Sequence, residues 1–325
     1  MREFVPLFAS GHLQTIVSHF WKRPLETGRY PVERRFVQTE PGVQVLLESQ
    51  RPGGPAAAEL VMVHGLEGSG EAGYMRGLSQ AALARGFAAH RFHMRTCGGT
   101  EHLCETLYHS GLTGDLAAVL RQLQLENRGP VFLAGFSLGG NVVLKLAGEL
   151  GASAAALFQG VCAVSTPIDL AASCHRIGRW DNRLYQWRFV RRMRRRLCAT
   201  GRYRAADFAG VRSIRDMDER ITAPSFGFRD ADHYYRTQSA AAYLDRIRVP
   251  ALLLQAKDDP LIPFESYKNP AIAANPCLTL AAPDHGGHVG FLARGNPRFW
   301  AEAVILDWIS SRLPGTNPAP PSSWF

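Results

Sequence analysis

The sequence predicts an open, mostly parallel, doubly wound α/β sheet carrying an inserted helical segment. Three observations lead there. Short apolar runs bounded by turn residues alternate with stretches of helical spacing; the alternation lapses over residues 169–242 and then resumes. The chain has 325 residues, 46% hydrophobic and 20% charged, which are ordinary globular values with ample material for one large mixed domain. Residues 1–325 are therefore expected to form a single domain, with 169–242 as a helical cap inserted into it and the four-proline tail, 314–325, flexible.

Each element follows from its local pattern. After an irregular start, Val43, Gln44, Val45, Leu46 and Leu47 alternate weakly, as a half-exposed strand does, and the run Arg51-Pro52-Gly53-Gly54-Pro55 breaks them off. Residues 59–63 are a short apolar run ending at His64-Gly65, typical of a strand buried on both faces of a parallel sheet. Met75, Leu78, Ala82 and Leu83 have helical spacing and predict a helix over 73–85, closed by Gly86. A strand over 87–92, a helix over 112–123, a strand over 131–136 and a helix over 138–150 continue the alternation. It resumes with strands over 155–164, 251–255 and 278–281 and a helix over 297–312. Between these, Leu184, Trp187, Val190, Met193 and Leu197 recur every three or four residues, predicting a helix with a core stripe of Leu184, Trp187 and Val190.

Charge is concentrated in the same interval. The chain has 37 Lys and Arg against 28 Asp and Glu, a formal charge of +9. Eleven arginines lie between Arg176 and Arg204 with one acid, Asp181, so the rest of the chain is close to neutral. Three readings fit: a solvated helix face over a core stripe, contact with an anionic membrane surface, or nucleic acid. The last is disfavoured by sparse aromatic interleaving and the absence of a nucleic-acid motif, so no nucleic acid is expected as partner. No early apolar run has the length of a secretory signal, and none approaches the roughly 18 residues of a membrane span, so a cytoplasmic location is expected. Six scattered cysteines imply reduced thiols. Cys97, in a Gly-rich stretch, is the one to watch as reactive, against the alternative of a buried thiol.

The sharpest chemical signal is Gly135-Phe136-Ser137-Leu138-Gly139, a G-x-S-x-G between a strand and a helix. The turn is so tight that small residues must flank the serine, which leaves its hydroxyl exposed at the strand end; the alternative is a serine capping an ordinary strand-to-helix turn. A serine hydroxyl is a weak nucleophile and needs a base, and the base needs an acid to orient it. Asp258-Asp259 and His285-Gly286-Gly287-His288 follow the strands at 251–255 and 278–281, at the sheet edge where open α/β folds bind ligands. Asp259 is preferred to Asp258 because it starts an Asp-Pro-Leu-Ile-Pro turn like that after the acid-bearing strand of many hydrolases; His288 is preferred to His285 because Gly287 and Gly290 let its loop approach the serine. His285 then fixes the loop. Metal binding by the two histidines lacks a third ligand and has glycines where a helix is needed. Oxyanion donors are expected from the amide of Leu138 and, in the loop His64-Gly65-Leu66-Glu67-Gly68, from that of Leu66.

These residues resemble the α/β-hydrolase superfamily, and within it the YheT-like hydrolases. The resemblance covers nearly the whole chain. It rests on Gly11-His12-Leu13-Gln14-Thr15, the His64–Gly68 loop, Arg95-Thr96-Cys97-Gly98-Gly99, Tyr108-His109-Ser110-Gly111 with Asp115, Gly135–Asn141, Asp258-Asp259-Pro260 and His285–Phe291. It implies the α/β-hydrolase fold, a triad of Ser137, Asp259 and His288, and hydrolysis of short-chain esters or acylglycerols, so that a small ester or a lipid is the expected partner and no metal or organic cofactor is required. Thr96 departs from the pattern, where glycine is expected.

Overall fold

A computed structural model describes residues 3–26, 28–126 and 128–313; the tail expected at 314–325 lies outside the described residues. Eight strands form one sheet: β1 (Glu33–Glu40), β2 (Val43–Gln50), β3 (Glu59–Val63), β4 (Ala88–Phe92), β5 (Val131–Phe136), β6 (Gly160–Val164), β7 (Ala251–Leu254) and β8 (Leu278–Ala281). Their order is β1-β2-β4-β3-β5-β6-β7-β8, with β1 antiparallel to β2, β2 antiparallel to β4 and every later pair parallel. The helices are α1 (Gly11–Phe20), α2 (Gly73–Ala84), α3 (Gly114–Glu126), α4 (Leu138–Leu150), α5 (Leu170–Ile177), α6 (Arg183–Ala199), α7 (Ile214–Met217), α8 (Ala223–Ser225), α9 (Ala231–Gln238), α10 (Pro270–Ala274) and α11 (Trp300–Ser310).

The apolar runs become inner strands because a parallel sheet is covered on both sides, and alternate residues divide between two cores. Val61, Val63 and Leu133 join Leu116 and Leu120 of α3 and Val142 and Leu146 of α4 on one face. Leu60, Met62 and Phe132 join Met75 and Leu78 of α2 and Val304 and Trp308 of α11 on the other. The mostly parallel doubly wound sheet is thus the architecture the sequence predicts.

Several elements differ from expectation. The start is not irregular: α1 and the edge strand β1 occupy it, β1 being the polar run Glu-Arg-Arg-Phe-Val-Gln-Thr-Glu, which lacks an apolar period because one of its sides is solvated. β2 is mostly buried rather than half exposed, since β1 and β4 pair with both of its edges. The run at 155–164 is a strand only from Gly160; a 3₁₀ turn, Gly151–Ala156, precedes it. Among the described residues no helix is long and apolar enough to cross a membrane.

Between β6 and β7 lie α5 to α9. Val190, Met193 and Leu197 of α6 pack into the core shared with α4, but Leu184 and Trp187 stand in solvent, 73% and 59% exposed. The core stripe of α6 is therefore narrower than predicted and shifted toward its C-terminal half. Asn141 on α4 ties this segment down: its amide donates to the carbonyls of Ser110 and Gln238, and its carbonyl accepts from Ala240 N–H.

Candidate active site

Ser137 sits between β5 and α4 with φ 52° and ψ −123°, a left-handed conformation costly for a side-chain-bearing residue. Close packing permits no relief: a Cβ on Gly139 would overlap the Val63 carbonyl, and one on Gly135 would overlap Gly139. The strained turn lifts the hydroxyl off the sheet, where Ser137 Oγ lies 2.9 Å from His288 Nε2. On the other side of the ring, His288 Nδ1 lies 2.9 Å from Asp259 Oδ2. A carboxylate can only accept, so Nδ1 carries the proton and Nε2 is left to accept from the serine. Asp259 is itself fixed: Oδ1 accepts from the amides of Leu261 and Ile262 at 2.8 and 3.1 Å, and Oδ2 from Gln255 Nε2 at 3.2 Å.

The neighbouring pair behaves differently. His285 Nδ1 meets Asp258 Oδ2 at 3.2 Å, and Asp258 Oδ1 accepts from Gly287 N–H, so these two residues fasten the loop that carries His288. That loop has two further anchors whose role sequence reading missed. Thr15 Oγ1 accepts from His288 N–H at 2.8 Å, and Ser165 Oγ accepts from Val289 N–H at 2.9 Å. Gln14 clamps the loop's far end by accepting from Leu292 N–H and donating to Leu292 O. The only sequence signal for this was the segment Gly11–Thr15, which carried a resemblance but no chemistry.

Hydrogen-bond accounting singles out the oxyanion candidates. In the loop after β3, Gly65 N–H donates to Tyr74 Oη and Glu67 N–H donates to Tyr108 Oη. Among the described residues the amide between them, Leu66, has no acceptor, and neither has Leu138 at the start of α4. His64 braces the loop as a neutral ring: Met94 N–H donates to Nε2, so Nδ1–H donates to Gly65 O, and full burial pushes its pKa down to about 3.

A residue of the arginine cluster closes this loop from above. Arg196 on α6, its side chain only 10% exposed, makes a fork to Glu67 at 2.9 and 3.0 Å, donates to Thr96 Oγ1 at 2.7 Å, and lies 4.6 Å over the Tyr108 ring. Burial would lower the Arg196 pKa, but the Glu67 carboxylate outweighs it and raises it. Glu67 and Thr96 both have positive φ, 54° and 59°, which explains why glycine suits position 96 and how threonine is kept there. Cys97 is buried beside them, and desolvation raises its pKa, so it is an inert thiol rather than a reactive one. The sequence offered no signal separating Arg196 from its ten neighbours.

Known proteins resemble this chain in sequence and fold. Over 324 residues the chain is 33% identical to YheT of Escherichia coli (strain K12), a provisionally designated esterase, covering 96% of this chain and 94% of that one. It is 26% identical to mouse phospholipase ABHD3 over 298 residues, 85% of this chain and 71% of the relative. The monoacylglycerol lipase of Saccharomyces cerevisiae is 29% identical over 267 residues, but the match spans only 57% of that longer protein. Among solved structures, the esterase Pf2001 of Pyrococcus furiosus superimposes with a TM-score of 0.61 at 17% identity, covering 90% of this chain and all of that one, a likeness of fold. The profile of the Alpha/beta hydrolase family matches residues 60–303, from β3 into α11, and on that match the chain belongs to the α/β-hydrolase family.

Proposed function

We propose that the protein hydrolyses carboxylic esters, short-chain esters or acylglycerols, through Ser137, His288 and Asp259. The observation that carries the reading is the unbroken chain of two 2.9 Å hydrogen bonds from Ser137 Oγ through the His288 ring to Asp259. His288 Nε2 takes the hydroxyl proton as Oγ attacks the ester carbonyl. The negative oxygen of the tetrahedral intermediate is received by the free amides of Leu66 and Leu138. Collapse expels the alcohol, which leaves with the proton held on Nε2, and an acyl group remains on Oγ. Water, deprotonated by the same nitrogen, attacks the acyl carbon; the acid is released and Ser137 is regenerated. Asp259, held by three N–H groups besides the ring, keeps Nδ1 protonated and supports the imidazolium that forms in each half.

A relative named as a monoacylglycerol lipase and another named as a phospholipase support an acyl substrate with a lipid member in the class. Labelling by a fluorophosphonate tests the nucleophile: the wild type should react and Ser137→Ala should not. A profile over p-nitrophenyl esters of increasing chain length then ranks the acyl groups, and Ser137→Ala should lose at least about a thousandfold in kcat. A folded wild type that neither labels nor turns over any ester would overturn the assignment.

A further inference from the structure

Two helices, α1, which holds the His288 loop through Thr15, and α6, leave an unusual surface. Large apolar side chains on a protein exterior are unremarkable singly, but adjacent rows of them mark a contact surface. Leu13, Ile16 and Phe20, spaced by three and four residues, form one row on α1 and are 48%, 44% and 70% exposed. Leu184 and Trp187 of α6, with Trp180 in the 3₁₀ turn just before it, form a second row and are 73%, 59% and 79% exposed. Side chains of the two helices touch beside these rows. The His12 and Tyr185 rings stack at 5.8 Å with Nδ1 and Oη 3.3 Å apart, and Arg188 Nη2 lies 2.7 Å from His19 Nε2. The rows therefore flank a single seam.

The rim of that surface is cationic. Lys22, Arg183, Arg188, Arg191, Arg192 and Arg195 are exposed, and neither α1 nor α6 contains an acid. Asp181, the nearest acid in sequence, is already engaged by Arg176. Six exposed cations exclude a second copy of the same face, because like charges would meet. They match a plane of negative headgroups above an apolar layer, which is what paired amphipathic helices with exposed tryptophans suit. The seam also leads inward: Thr15 of α1 holds the His288 amide, and burial, with the Asp259 charge adding to it, raises the Tyr185 pKa to about 12.

We propose that α1 and α6 together form a docking face for an anionic phospholipid bilayer, with Phe20, Leu184 and Trp187 entering the interface and the arginines on the headgroups. The face is a property of the fold; only its use, delivering acyl lipids toward Ser137, rests on the ester-hydrolase reading.

Cosedimentation of the whole protein with vesicles of phosphatidylcholine alone, or of phosphatidylcholine and phosphatidylglycerol in equal parts, tests it. The protein should partition at least about tenfold more strongly onto the anionic vesicles at low salt, with the difference shrinking at high salt and tryptophan emission shifting to the blue. The exposed triple variant Phe20→Ser, Leu184→Ser, Trp187→Ser should lose the blue shift and about tenfold in partition, and Arg191→Gln with Arg195→Gln should lose preference for the anionic vesicles. Both variants should hydrolyse dissolved p-nitrophenyl acetate like the wild type. Wild-type binding without any ester hydrolysis sustains the face and removes the enzyme reading. Equal binding to both vesicles, variants that bind as the wild type does, or capture of duplex DNA in place of vesicles overturns the face.

Discussion

The two sides of α6 use the same residue for opposite purposes. On the inner side Arg196 is buried, forked onto Glu67 and stacked on Tyr108, so its charge is spent within the protein on the loop that offers the Leu66 amide. On the outer side Arg191 and Arg195 stand in solvent, and Arg191 lies over the ring of the exposed Trp187, at 5.3 Å. A run of like charge is thus not one feature: a half-turn of helix separates an internal fastening from an external field. The inner arginine should matter to chemistry in solution and the outer ones should not.

The largest break in that contrast comes at Arg196. Arg196→Met leaves the buried Glu67 without its cationic partner, a loss of about 3–5 kcal/mol in stability, so the informative variant couples it with Glu67→Gln. That double variant should fold, yet lose about a hundredfold in kcat on a dissolved ester with KM little changed, because the Leu66 amide is no longer held in place. Wild-type kcat in the double variant would show that the fork is only structural. A smaller effect is expected at the other helix touching the site. Thr15→Val keeps the shape but removes the acceptor for His288 N–H, and kcat should fall about tenfold, again more than KM rises; an unchanged kcat would mean that Ser165 and Asp258 suffice to hold the loop.

A third prediction concerns interior histidines that carry no charge. Burial pushes both His64 and His109 down to about 3 from an ordinary 6.5. Above about pH 6.5 both folded and unfolded chains keep them neutral and their contribution is whole; as pH falls from there toward 3 only the unfolded chain takes up protons, so stability is lost. Ring resonances followed by NMR in the folded protein should show both imidazoles still mostly neutral at about pH 4, and a titration near 6.5 would show that these rings are not sealed from solvent. Smallest of all, the Arg191→Gln, Arg195→Gln pair should leave hydrolysis of a dissolved ester within about twofold.

What could be read from the sequence follows the same division between local and distant causes. The runs at 59–63 and 131–136 have the bounds of β3 and β5 because a strand buried on both faces writes its burial as a continuous apolar string. The elbow at Ser137 was legible because its tight turn demands small neighbours. Asp259 and His288 could be chosen from local loop composition, and they meet Ser137 in space. β1 was missed because an edge strand with one solvated side needs no apolar period, and the exposure of Leu184 and Trp187 because helical spacing alone does not say which stripe faces the core. The roles of Thr15, Ser165 and Arg196 lie in partners far along the chain, which no local pattern records.

The anchoring of His288 spans the molecule. Its amide is held by a residue 273 positions earlier, its neighbour Val289 by one 124 positions earlier, and its ring by an aspartate 29 positions earlier. During synthesis the strained Ser137 and the amides of Leu66 and Leu138 are made long before His288 exists, and His288 has no fixed seat until β8 has joined the sheet and α1 has been brought against the loop. On the proposed reading, a nascent or clipped chain would carry a nucleophile with nothing to activate it, and hydrolytic competence would wait until α1 and the His288 loop had found each other.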